Sequence, residues 1–180
     1  SLKCFEKAQT IAPQNLDRLC QMAEIHAELG HDEASDDILV KVEDIDPDSD
    51  RVDESKAKIA LGKGDTDTAK GILGSLKDVE KIISYMNNRA IALARCKMIQ
   101  EGIDEYLKTL ESIPDDKQQI RAVVHYNLAL AYIRSGNIEA AKGQLETAIP
   151  LMSEPLKQRT EPLLAKIHSA LKRGASLQIE

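Results

Sequence analysis

The chain has no tryptophan, one phenylalanine and four tyrosines among 180 residues. A core so poor in large rings must be built from Ala, Leu and Ile, which suits tightly stacked helices. Strand signals are missing too, since no β-branched run alternates with a period of two. No apolar stretch approaches the ~18 residues needed to span a bilayer, so no membrane partner is expected. The three cysteines, Cys4, Cys20 and Cys96, are scattered and form no CxxC. Such a set argues against a disulfide framework and for reduced thiols, buried as small hydrophobes, in a cytoplasmic protein. GxGxxG, P-loop, HExxH and GxSxG motifs are absent, so neither an enzyme nor a cofactor is expected. His26 and His31 straddle Gly30 at a spacing wrong for one helical face, which argues against a metal site. The acidic run Asp44–Asp50 lacks the glycine and closing glutamate of a calcium loop and reads as a turn. A net charge of −6 excludes nucleic-acid binding by bulk electrostatics.

What the chain does have is a period. One column of small residues runs Ala23, Ala57, Ala90, Ala129, and a second runs Ser35, Ala69, Gly102, Ala141. Others run Ala8, Val42, Leu76, Thr109, Ala148 and Phe5, Leu39, Leu73, Tyr106, Leu145. A turn column holds Gly30, Gly64, Lys97 and Gly136, and Pro13, Pro47 and Pro114 close units. From Ala23 onward the columns step together by 34, 33 and 39 residues. A period in this range signals stacked supersecondary units, whose long concave surface serves binding more readily than catalysis.

Charge is uneven along this array. Residues 1–82 carry 11 basic and 19 acidic side chains, whereas residues 83–180 carry 13 and 11. Two readings stand side by side: ordinary surface variation, or two halves that offer different surfaces to a partner.

Punctuation places the helices. Residues 1–15 read as a partial unit whose helix covers 1–12. Pairs follow at 16–29 with 32–45, 50–62 with 65–76, 79–97 with 99–112, and 117–135 with 137–151. The repeats are 16–49, 50–82, 83–116 and 122–153, all within one domain spanning 1–180. A capping helix covers 154–173, with Ser153 and Pro155 at its start, Pro162 expected to kink or split it, and Gly174 ending it. The polar stretch Asp115–Arg121 adds five residues to the period and either lengthens a helix or forms a loop. The chain opens inside a repeat without an initiator methionine, and it reads as a piece of a longer one.

These columns resemble the tetratricopeptide repeat. The clearest copy is His125-Tyr-Asn-Leu-Ala-Leu-Ala-Tyr132 followed by Gly136, Ala141, Leu145 and Ala148. A second is Tyr85-Met-Asn-Asn-Arg-Ala-Ile-Ala-Leu93 with Gly102-Ile-Asp-Glu-Tyr106 and Pro114. The family's tryptophan is absent, and Lys56 and Arg89 stand in a column that is usually apolar. The resemblance implies an all-α, right-handed superhelix, an α-α solenoid of helix-turn-helix units. A narrower resemblance, carried by Asn87–Leu93 and Glu101–Tyr106, is to repeats attached to receiver domains of bacterial response regulators, and it implies a role in signal transduction.

In the family the first helix of each unit lines the concave face, where peptides bind. By register that face offers Asp17, Cys20, Gln21, Glu24, Ala27 and Glu28, and then Arg51, Glu54, Ser55, Lys58 and Leu61. Next come Ser84, Asn87, Asn88, Ile91, Ala94 and Arg95, and finally Val123, Tyr126, Asn127, Leu130, Ile133 and Arg134. Asn88 matches Asn127 and Arg95 matches Arg134. Asparagine can hold a peptide backbone and arginine a carboxylate. The expected site is thus a groove of Asn87, Asn88, Ile91, Arg95, Tyr126, Asn127, Leu130 and Arg134 that binds an extended, acidic peptide or protein segment. Against it stands the reading that the asparagines bond neighbouring helices and the arginines are solvated. Cys20, Glu24 and Glu54 occupy places where a chaperone-tail clamp would need lysine and asparagine, so that ligand is not expected. The function implied is a protein–protein interaction scaffold. The alternatives are a regulatory or assembly module of a multidomain signalling protein, a helical domain serving an enzyme elsewhere in a longer chain, and a homo-oligomerisation module.

Overall fold

The structure, a computed structural model, describes Cys4 and residues 14–173. The expected partial unit at 1–15, apart from Cys4, Gln14 and Asn15, lies outside the described residues, as do Gly174 and the tail 175–180. Nine α-helices are described: α1 (Leu16–Glu28), α2 (Asp32–Ile45), α3 (Asp50–Lys63), α4 (Thr66–Ser75), α5 (Val79–Arg95), α6 (Ile99–Ser112), α7 (Gln118–Arg134), α8 (Ile138–Ala148) and α9 (Glu154–Arg173). No strand occurs among the described residues. The helices pack in neighbouring pairs, α1 on α2, α3 on α4 and α7 on α8, as in tetratricopeptide-like repeats.

Local chemistry sets the boundaries. Asn15, Asp65 and Asn137 each accept a bond from a backbone N–H three residues on, at 2.8, 3.1 and 3.1 Å, and so start α1, α4 and α8. Hydrogen bonding by the Thr68 side chain, and then by its backbone N–H, also holds the Asp65 carboxyl below its ordinary range. At the turns within pairs the backbone must pass through the left-handed region, with φ of +74°, +79° and +81° at Gly30, Gly64 and Gly136. Lys97 fills the same place between α5 and α6 with φ of +67°, and it is the one such non-glycine among the described residues.

The chain divides into two compact units, Ser1–Ile82 and Ile83–Glu180, at the point where the charge balance changes. In the first, Leu19, Cys20, Val42 and Val52 form a buried cluster, with Leu16 and Ile38 packed against it. Small residues meet there, and the buried Ser35 hydroxyl donates to the Ala23 carbonyl at 3.0 Å. In the second, Ala129, Ile133, Ala141, Leu145 and Ile167 are buried together. Gly102 of α6 lies so close to α5 that a Cβ on it would come within 2.9 Å of the Ala90 carbonyl oxygen. That approach explains the small-residue columns, because the helices touch backbone to side chain.

Two irregularities resolve. The added stretch forms a turn at 115–117 and then the first turn of α7, which has 17 residues against 13 in α1 and 14 in α3. Arg121 donates from α7 to the carbonyls of Leu110 and Ile113 at 3.1 and 3.0 Å, satisfying groups left open at the end of α6. Pro162 does not split α9, which runs unbroken through it. The carbonyl that loses its partner belongs to Gln158, an exposed residue that water can serve. The cysteines need a correction: Cys20 is buried as expected, but Cys4 and Cys96 are exposed.

Candidate functional site

In the first unit, residues given one face by register contact one another across α1 and α3, although Cys20, Ser55 and Leu61 among them are fully buried. Glu24 of α1 sits at the centre. Its Oε1 accepts from Ser55 Oγ at 2.6 Å and from Arg51 Nη1 at 2.9 Å, both on α3, and it lies 3.4 Å from Lys58 Nζ. Arg51 also reaches Asp17 at 3.3 Å and donates to Ser55 Oγ at 2.7 Å. Glu24, Arg51 and Lys58 are only 15–17% exposed. Burial opposes the Arg51 charge, but the hydrogen bond and charge of Glu24 outweigh it and hold the guanidinium above its ordinary pKa. Beneath it the Cys20 thiol is pushed up by burial, and Sγ donates to the Arg51 carbonyl at 3.8 Å. This is not a reactive cysteine, because the thiolate is disfavoured and the site is closed. Farther along α3, Glu54 accepts from Lys81 at 2.7 Å. The cations of this face are matched by carboxylates, and little charge is left for a partner.

The second unit is built differently. Asn127 Nδ2 of α7 donates to Asn87 Oδ1 of α5 at 2.5 Å, so these two asparagines do bond neighbouring helices. Each keeps half of its amide: Asn87 retains its donors and Asn127 its acceptor. Asn88 is exposed and Ile91 half-buried on α5. Tyr126 and Leu130 are half-buried on α7 and pack against the cluster around Ile133 and Ile167, so part of each is committed to the fold. Arg95 and Arg134, at the ends of α5 and α7, are exposed and form no ion pair among the described residues. Tyr106 of α6 lies close enough to Arg134 to feel its charge. Burial lifts the phenol to about 12 despite that arginine.

The charged residues in the usually apolar column are accommodated by partners. Lys56 pairs with Glu43, and Arg89 lies 3.3 Å from the buried Glu105. His125 bonds Gln144 at 2.7 Å and is half-buried. No group of metal-ligating side chains gathers among the described residues, and no described helix is long and apolar enough to cross a membrane.

Sequence reasoning missed the pairing in the first unit. A signal for it was present, because Glu24 and Lys58 are one 34-residue period apart and opposite in charge. It also missed Lys81, which stands in the proline column.

Stacked helix pairs with small-residue contacts and left-handed turns define a helical-repeat protein of the tetratricopeptide type. Residues 122–150 match the family model of the tetratricopeptide repeat. The chain is also similar to the tetratricopeptide repeat protein 36 homologs of Drosophila pseudoobscura pseudoobscura and Drosophila melanogaster, each 28% identical. Those alignments cover 62% and 63% of this chain and 63% and 64% of the relatives, so the chain spans under two thirds of their length. Together the matches support a tetratricopeptide-type repeat in the part of the chain they cover. Proteins of this family are generally non-enzymatic scaffolds.

Proposed function

We propose that the chain binds an extended, acidic segment of a partner protein on the face of α5 and α7 in the second unit. The observation that carries this reading is the pair of exposed arginines, Arg95 and Arg134, which occupy the same place in successive repeats with no carboxylate paired to them among the described residues. Asn88 and the spare halves of the Asn87–Asn127 pair offer donors and an acceptor to a peptide main chain. Ile91, Tyr126 and Leu130 supply apolar contact from their exposed edges. Recognition is by charge-assisted bonds to side-chain carboxylates, so affinity falls with added salt.

Fluorescence anisotropy of a labelled glutamate-rich peptide tests this. The wild-type chain should bind saturably, and an Arg95→Glu, Arg134→Glu variant with unchanged circular dichroism should lose at least about tenfold in affinity. Equal binding by both proteins would remove the site from this face.

A further inference from the structure

We infer that α4 is a helix built to open. It unravels and re-forms in place while α1, α2 and α3 stay folded, and each opening bares apolar surface that the closed first unit hides.

The helix is weak by composition. It has ten residues, a length at which a helix in water depends on packing for its stability. Two of the ten are glycines, Gly71 and Gly74. Glycine inside a helix costs backbone entropy and helps only where a side chain does not fit. At Gly102 none fits, because a Cβ would meet the Ala90 carbonyl oxygen at 2.9 Å. At Gly71 and Gly74 a Cβ would meet nothing within 4 Å, and both positions are exposed. Neither takes a left-handed φ. Alanine fits at both, so packing does not call for these glycines, and their effect is to lower the stability of α4.

Little packing offsets that weakness. Ala69 and Leu73 are the buried residues of α4, whereas α3, on which it packs, buries seven of its 14. The α2 helix also buries only two, Ser35 and Val42, but its side chains tie it to its neighbours. Ser35 donates to the Ala23 carbonyl of α1, Asp32 lies 2.9 Å from Lys63, and Glu43 pairs with Lys56 of α3. In α4 the bond from the Thr68 N–H to Asp65 and the bond from Ser75 Oγ to the Ile72 carbonyl at 2.8 Å stay within single turns. They are lost with the turns that make them.

The ends of the segment are pinned. Before it, the Asp65 N–H donates to the Ala60 carbonyl of α3 at 2.9 Å. After it, Lys77 reaches Asp50 at 3.2 Å and Lys81 reaches Glu54 at 2.7 Å, both on α3. Between these points α4 unravels without carrying its neighbours along. What it bares is Ala69, Leu73 and the α3 surface beneath them. Elements that move in conformational switching are drawn from this low-stability end of a fold.

Native-state amide hydrogen exchange of the intact chain tests this. Relative to their rates in an unstructured chain, the amides of Lys70 to Gly74 should exchange at least about tenfold faster than those of Ile59, Ala60 and Leu61. Gly71→Ala should slow exchange in α4 about fivefold, and the double variant Gly71→Ala, Gly74→Ala about tenfold or more. Glu24→Gln weakens the contact of α1 with α3, which persists when α4 is open. It should speed exchange in α1 and α3 and leave α4 unchanged. Wild-type protection in α4 equal to that in α3 would overturn the inference. So would an α4 that Gly71→Ala does not slow, or one that Glu24→Gln speeds as much as α3, because that helix would open only with the whole unit.

Discussion

The first-helix face carries its cations at different positions, and with different surroundings, in the two units. On α1 and α3 the first-helix face carries Arg51 and Lys58, and the neighbouring repeat supplies Glu24 and Asp17 to neutralise them. On α5 and α7 the equivalent face carries Arg95 and Arg134 with no carboxylate set against them among the described residues. A charge already paired inside the protein must be desolvated and unpaired before it can serve a ligand. A charge left in water needs only to exchange water for a carboxylate. On the reading proposed above, the first face contributes to stability and the second to recognition.

Substitutions that break this contrast should differ in size. Glu24→Leu removes the shared carboxylate from two mostly buried cations and should destabilise the first unit by about 2–3 kcal/mol, read as a lower urea midpoint. Tyr106 in the second unit gives the next largest effect. Its folded pKa of about 12 lies above the ordinary value near 10, so its contribution is fully present below pH 10 and is lost as pH rises toward 12. A loss of about 2–3 kcal/mol across that window should be seen in alkaline unfolding, and Tyr106→Phe should abolish it. Because Arg134 opposes the shift, Arg134→Ala should raise the phenol further, as absorbance titration would record. Lys97→Gly relieves a left-handed backbone and should stabilise the second unit by about 1 kcal/mol. Smallest is the effect of Arg95→Ala or Arg134→Ala on stability, expected within about 0.5 kcal/mol. A larger loss in either arginine variant, or none in Glu24→Leu, would erase the distinction between the two faces.

Much of the fold was legible in the sequence because its determinants are local. Capping asparagines and aspartates, turn glycines and small-residue columns place each helix end within a few residues of where it lies. The all-helical class follows from the same signals. Tertiary pairing was less legible. Lys56 and Arg89 look like defects in an apolar column until Glu43 and Glu105 are found beside them. Pro162 looks like a break until its orphaned carbonyl is seen to belong to an exposed residue. The face expected to bind was readable as a set of positions. Which half of it spends its charges on itself depends on side-chain reach between helices, and periodicity alone does not encode that.

The most direct test of the account is a two-dimensional amide NMR titration of the intact chain with the glutamate-rich peptide. The account predicts shifts at Asn88, Ile91, Arg95, Asn127 and Arg134 while Asp17, Glu24, Arg51 and Lys58 stay still. Shifts concentrated on the first unit's face, or spread equally over both, would contradict it.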